Sequence, residues 1–250
     1  VTQGSDTDES RMLPVTFGGD FSCRMAAGES VESDTVELPL KRGQDYAVSL
    51  YLGDMTLLAS GTKDTGPLCR AFFAEGNFAA CSQLDPFYTA PMNIFYFLTG
   101  VDALCREDCH ALVCFGDSIT AQSWPDYLML RVLRDGPENL SVIRRGIGGS
   151  RVLRSYQHLL IRHYGQKGAD RFEREVAAAG ADRVIVLHGV NDLIHPDGSL
   201  FRPWSDLPTA QELIDGLRYY VQRGHELGLK VYLATILSIK GWHTYNAQRE

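Results

Sequence analysis

Ala111-Leu-Val-Cys-Phe-Gly-Asp-Ser-Ile-Thr120 is the stretch that decides the fold. Its first half, Ala111 to Phe115, is apolar throughout. A run that short, with no alternation, reads as a strand covered on both faces, the kind found in parallel sheets. It breaks into Gly116-Asp117-Ser118, small polar residues that mark a turn. A helix is expected next, from Pro125 through Arg134, with proline near its first turn.

The same texture repeats downstream. Ser141-Val-Ile143 predicts a second strand, followed by the glycine-rich Arg145-Gly-Ile-Gly-Gly-Ser150. Ala169 to Ala179 reads as a helix, and Arg183-Val-Ile-Val-Leu187 as a third buried strand ending in His188-Gly-Val-Asn-Asp192. Thr209 to Leu227 is a long amphipathic helix with Leu213, Ile214, Leu217 and Tyr220 on one face. Lys230-Val-Tyr-Leu-Ala-Thr-Ile236 predicts a fourth strand. Strands alternating with helices imply βαβ units with right-handed crossovers. The fold class expected is therefore α/β, a doubly wound, flavodoxin-like parallel sheet in three αβα layers.

Upstream the texture differs. Val15-Thr-Phe17 runs into Gly18-Gly19, while Ser33 to Leu40, Tyr46-Ala-Val-Ser-Leu-Tyr-Leu52 and Asn93-Ile-Phe-Tyr-Phe-Leu98 read as further strands. Glycine, proline and aspartate punctuate these runs, and no long helical stripe appears. This predicts a β-rich, sandwich-like module over residues 1–104, incomplete at its start, ahead of an α/β domain over residues 105–250. Val1 to Ser10 is polar and acidic and reads as a flexible end.

Composition narrows the function classes. Of 250 residues, 44% are hydrophobic and 22% charged, ordinary for a globular chain, which excludes disorder, collagen and coiled coil. A net charge of -7 argues against nucleic acid as a partner, because binding a phosphate backbone needs a basic face. No apolar run reaches the roughly 18 residues that would span a bilayer, so no membrane role is expected. The chain opens on Val1, which leaves a removed leader or an upstream segment open. Cys105, Cys109, His110 and Cys114 invite a zinc reading, but their spacing is not the close two-pair pattern of structural zinc sites. Cys114 also lies inside the apolar run, where a thiol is usually core filler. Free thiols in a reducing compartment are the plainer account; they favour the cytoplasm over a secreted location but leave the compartment open. No metal or organic cofactor is expected.

In an open parallel sheet the ligand site lies past the carboxyl ends of the strands. Here those ends are Gly116-Asp-Ser-Ile-Thr120, Arg145-Gly-Ile-Gly-Gly-Ser150 and His188-Gly-Val-Asn-Asp192, three loops that converge on one rim. A serine just past a buried strand and opening a helix sits exposed on a tight turn, where the helix N-terminus favours developing negative charge. Ser118 therefore suits a nucleophile attacking an acyl carbonyl. Gly148-Gly149 would let a backbone N–H approach a substrate oxygen, and Asn191 could aim its amide at the same atom. With the Ser118 N–H these donors would form an oxyanion hole. Taken singly, each piece is also a common turn. The glycine loop lacks the Lys-Ser/Thr ending of a P-loop and the G-x-G-x-x-G of dinucleotide folds, so nucleotide readings are weak.

The segment from Ala111 onward resembles the GDSL/SGNH hydrolases. Gly116-Asp117-Ser118 matches their first block, Gly146-Ile-Gly-Gly149 the second and Gly189-Val-Asn-Asp192 the third. The resemblance implies Ser118 as nucleophile, with Gly149 and Asn191 as oxyanion donors. It also implies a serine ester hydrolase that works through an acyl-enzyme on small O-acyl esters, acetyl groups among them, with carbohydrate esters as one substrate class. Asp117, His188 and His195 are candidates for lining the substrate site. Val15-Thr-Phe-Gly-Gly19 and Phe97-Leu-Thr-Gly-Val-Asp102 resemble, more loosely, the β-sandwich segment that precedes the hydrolase domain in some bacterial members.

Two departures stand out. Where the second block usually carries asparagine, this sequence has Arg144, followed by Arg145; a solvated loop pair is expected, with an acidic substrate group the alternative. The family's base and orienting acid come from a D-x-x-H block after a fifth strand, which would fall beyond Glu250. Asp192-Leu-Ile-His195 has that spacing, but geometry and not spacing decides whether a histidine is a base. The 250 residues alone are expected to be nearly inactive unless a further segment or a partner chain supplies the base and completes the sheet. The alternative function is a non-catalytic glycan-binding or interaction protein that keeps the scaffold.

Overall fold

The computed structural model describes residues 12–53, 61–63, 67–82, 89–92, 94–156, 158, 160–178, 180–243, 245–246 and 249. The expected flexible end at Val1 to Ser10, and the residues Asn93 and Ala179 of predicted elements, lie outside them. The chain divides into two compact units, Val1–Asp64 with Arg70–Thr99, and Thr65–Cys69 with Gly100–Glu250.

In the first unit β1 (Gly61–Lys63) pairs antiparallel with β4 (Ile94–Tyr96), and β2 (Ala71–Ala74) with β3 (Thr89–Met92). No sandwich is defined among the described residues. Residues 33–40 and 46–52, which alternate as strands in sequence, carry no strand. Alternation promises a strand only where one face is covered and a neighbour takes up the backbone groups. Here Val48, Leu50 and Leu52 are each about half exposed (47%, 53% and 47%). Val15-Thr-Phe17 forms no strand either and leads into a turn between Phe17 and Asp20. The Asp34 carboxylate holds that turn, accepting from Thr16 Oγ1 at 2.7 Å and from the Gly18 and Gly19 amides at 3.0 and 2.8 Å.

The second unit holds four parallel strands, β5 (His110–Gly116), β6 (Leu140–Gly146), β7 (Ala181–Leu187) and β8 (Lys230–Leu233), in the spatial order β6-β5-β7-β8. Helices α1 (Trp124–Asp135), α2 (Gly168–Val176), α3 (Val190–Ile194) and α4 (Ala210–Glu226) flank or follow them. This is the doubly wound α/β fold that the sequence predicts. Pro125 sits in the first turn of α1, where its missing N–H costs nothing. Thr209 caps α4 through a reciprocal box: its side chain accepts from the Glu212 amide at 3.2 Å, and its own amide donates to the Glu212 carboxylate at 2.8 Å. Regular β8 ends at Leu233, three residues before the predicted Ile236, although the Ala234 amide still donates to the Val186 carbonyl at 2.9 Å.

The core lies on one face of the sheet. Val113 and Phe115 of β5 and Val184 and Val186 of β7 meet Phe172 and Val176 of α2 and Leu213 and Tyr220 of α4. Phe115 and Phe172 contact edge to face with ring centroids 5.1 Å apart. Helix α1 packs along β6.

Register sets up the rim. Gly116 of β5 lies opposite Gly146 of β6 and Leu187 of β7, so three loops leave the sheet at one level.

Candidate active site

Ser118 stands two residues past that level, on a turn built by Asp117. The Asp117 carbonyl accepts from the Ala121 amide at 2.9 Å, and its Oδ1 accepts from the Ile119 amide at 3.0 Å. An aspartate that bonds its own backbone two residues on is a self-contained turn former. Asp117 is buried, and its Oδ2 has no hydrogen-bond partner among the described residues. Burial pushes its carboxyl up to about 6, against the amide of Ile119 and the Arg171 charge, which pull it down. Ser118 is half-buried.

The glycine loop leaves β6 beside that turn. The Ile147 amide donates to the Gly116 carbonyl at 3.2 Å, continuing the ladder, and the Ser150 amide closes a turn on the Ile147 carbonyl at 3.1 Å. Ser118 Cβ lies 3.9 Å from the point a Gly148 Cβ would occupy. Gly149 has φ +79°, a left-handed backbone, and a side chain there would run into the Tyr164 ring. Two independent reasons therefore demand glycine at this position.

The third loop meets the glycine loop from the other side. Asn191 Nδ2 donates to the Ser150 carbonyl at 2.9 Å. His188 Nε2 lies 3.1 Å from the same oxygen, and its Nδ1 lies 3.0 Å from the Tyr220 hydroxyl. A carbonyl can only accept, so Nε2 carries the proton and Nδ1 accepts from Tyr220. Burial, reinforced by the Arg171 charge, holds His188 down to about 3, so the ring is neutral. Both Asp192 oxygens accept amides of the chain after the glycine loop, Val152 at 2.7 Å and Leu153 at 3.0 Å. Gly149 thus sits between Gly148, which faces Ser118, and Ser150, which is held by Asn191.

His195 lies just past α3, where its Nδ1 bonds the Tyr156 hydroxyl and its ring packs against Tyr156 and Tyr164. Burial and the Arg202 and Arg151 charges hold it down to about 4. Arg144 belongs to β6 and not to a solvated loop: its side chain is 14% exposed, with Nη1 3.8 Å from Asp126. The residues of the zinc reading point elsewhere. Cys114 is buried in β5, where burial pushes its thiol up to about 12, and His110 Nδ1 pairs with Asp182 at 3.2 Å. Among the described residues no group of three or more His, Cys, Asp or Glu side chains could hold a metal ion.

Three residues of the rim escape the sequence reading. Tyr164 shapes Gly149, Tyr156 holds His195, and Arg171 is wholly buried behind the loops. No sequence signal marks them: Arg171 beside Phe172 is an ordinary pattern on an amphipathic helix, where neighbouring residues point about 100° apart.

A parallel sheet with three interlocked loops past its carboxyl edge is a doubly wound α/β domain, and that edge is where such sheets place their ligands. The chain belongs to the GDSL-like lipase/acylhydrolase family, whose sequence model matches residues 114–250, more than half of its length. It is similar to the solved structure of AlinE4, a SGNH-hydrolase family esterase, with 19% identity over 52% of this chain and 60% of that one and a TM-score of 0.37. It is also similar to the acetyl xylan esterase AlAXEase, with 22% identity over 56% of this chain and 65% of that one and a TM-score of 0.40. The chain thus spans less than two thirds of the length of either structure. No curated protein matches it.

Proposed function

We propose that this chain carries the nucleophile and oxyanion donors of a serine ester hydrolase acting on small O-acyl esters. One observation supports the reading above the rest: the Gly148-Gly149-Ser150 segment faces Ser118 on one side and is bonded by Asn191 on the other. Ser118 Oγ attacks the acyl carbonyl, and the carbonyl oxygen becomes an anion. The Gly149 amide and the second N–H of the Asn191 carboxamide stabilise that anion, as the Ser118 amide does. The anion collapses, the leaving alkoxide takes up the proton drawn from Ser118 and departs as the alcohol, an acyl-enzyme remains, and water adds to it to release the acid and restore the Ser118 hydroxyl.

A histidine takes the Ser118 proton in this scheme. His188 is a poor candidate, because both ring nitrogens are engaged and the ring is buried. His195, held to about 4, is a weak proton acceptor at neutral pH. Their part in this reading is to shape the rim. Acetyl esters on carbohydrate are the substrate class we favour, from the family resemblance alone.

The test is active-site labelling with a fluorophosphonate, together with hydrolysis of a short-chain aryl acetate. Label on Ser118, and loss of label and turnover in Ser118→Ala, are the expected results. Undiminished labelling or turnover in Ser118→Ala would refute the assignment.

A further inference from the structure

We infer that Arg171 is a positioning residue of this site, locking the nucleophile turn to the glycine loop; the inference rests on the Ser118 reading above. Arg171 projects from α2 and its side chain is 0% exposed. A charge taken wholly out of water is costly unless it is paired and hydrogen-bonded. Its partners are specific. Nη1 pairs with Glu175 one turn along the helix, and the guanidinium lies 4.2 Å over the Phe115 ring. Nη2 donates to the Gly116 carbonyl at 2.5 Å and to Ser150 Oγ at 3.3 Å.

Those last two acceptors carry the argument. Gly116 is two residues before Ser118, and Ser150 follows Gly149. One nitrogen therefore bridges the two backbone segments that present the proposed nucleophile and oxyanion donor. The Ser150 hydroxyl has room to accept from Arg171 because its own hydrogen is directed to the Gln166 carbonyl, 3.5 Å away. The third loop is drawn in as well, since Asn191 and His188 both hold the Ser150 carbonyl. A cation used only to offset Glu175 would not need two acceptors on two different loops. The planar fork lets Nη1 hold Glu175 while Nη2 serves both loops, and an ammonium, a single point donor, cannot span all three partners.

The experiment compares the wild-type chain with Arg171→Lys and with Ser150→Ala, which deletes one of the two acceptors of Nη2 together with the hydroxyl's long bond to Gln166. Four quantities are read: kcat and KM on an aryl acetate, thermal midpoint, and amide exchange in the segments 116–121 and 146–152. The expected result for Arg171→Lys is a kcat lower by about a hundredfold with KM within about twofold, the size expected of a displacement near 1 Å. Exchange should rise in those two segments and stay unchanged in β7 and α4. Ser150→Ala should show the same pattern more weakly. Unchanged kcat and unchanged exchange in either folded variant would overturn the inference, and so would a loosening spread evenly over the sheet. If Arg171→Lys does not fold, Ser150→Ala decides alone. If Ser118→Ala keeps the wild-type labelling and turnover, the Ser118 reading fails, but the exchange pattern still tests the lock.

Discussion

Asn191 reaches the glycine loop through the Ser150 carbonyl, donating to it from Nδ2 at 2.9 Å. The bond uses one of two N–H groups on the carboxamide, so the same side chain both braces the loop and can meet a substrate oxygen. Asn191→Ala removes both contributions. The expected loss is roughly a hundredfold to a thousandfold in kcat, the usual effect of deleting one oxyanion donor, with a smaller change in KM. Asn191→Asp should be no better, because it sets an acceptor against the Ser150 carbonyl. Steady-state hydrolysis of an aryl acetate measures both, and near-normal kcat in either variant would remove Asn191 from the mechanism.

Gly149 meets Tyr164 so closely that a side chain cannot be added without moving the ring. Gly149→Ala should therefore destabilise by more than the about 1–2 kcal/mol that left-handed backbone alone costs an alanine. Adding Tyr164→Ala relieves the collision but not the backbone strain. A double-mutant cycle in urea should show the two changes to be coupled and less harmful together than their sum. Simple additivity would mean that the ring gives way freely.

His188 should stay neutral far below the ordinary range of histidine. Its folded value is about 3 against 6.5 in the unfolded chain. A lowered base contributes stability that is full above about 6.5 and is lost as pH falls toward 3, with a slope of at most about 1.4 kcal/mol per pH unit. Asp117 and Asp192, each raised to about 6, act oppositely: they bind protons in the folded chain first, so stability rises as pH falls from 6 toward 3.8. The His188 contribution is therefore isolated by difference. In His188→Gln, unfolding free energy should fall less on acidification from pH 6.5 to 4 than in the wild type. Ring nitrogen shifts of His188 should keep the Nε2–H tautomer from pH 8 to 5. A titration midpoint near 6.5 would contradict the burial argument.

Phe172 is wholly buried between Phe115 and Tyr220, with ring centroids at 5.1 and 4.8 Å. Phe172→Ala should cost about 3–5 kcal/mol, because both the transferred surface and the cavity count against the fold. Thr209→Ala, at the exposed cap of α4, should cost about 1 kcal/mol and leave the core intact. Urea unfolding separates the two, and equal costs would show that the core has collapsed around the missing ring.

Strands β5 and β7 were legible because each carries an apolar run that ends at or near a glycine, a pattern that reflects burial on both faces; β6, at the sheet edge, has only Val142-Ile143 in a row before Arg144 and Arg145, and none of its residues is fully buried. The three loops were legible for the same reason: chain that must turn over the end of a covered strand needs small and polar residues, and Gly116, Gly146 and Gly189 supply them. Helix α3 was not. It spans five residues from Val190 to Ile194, too few to show a period, and Gly189 enters it at φ 119°.

What defeats a linear reading is partnership at a distance. The alternation over residues 46–52 was a statement about one face, and whether that face was covered depended on chain elsewhere; Val48, Leu50 and Leu52 remain about half exposed. The clamp of Asp192 on Val152 joins residues 40 apart, and the reach of Arg171 to Gly116 joins residues 55 apart. Local composition settles which residues turn, which are apolar and which carry chemistry, because those properties belong to each residue and its neighbours. Which of those residues meet was settled by packing, since a hydrogen bond between distant segments forms only after the sheet has aligned their ends.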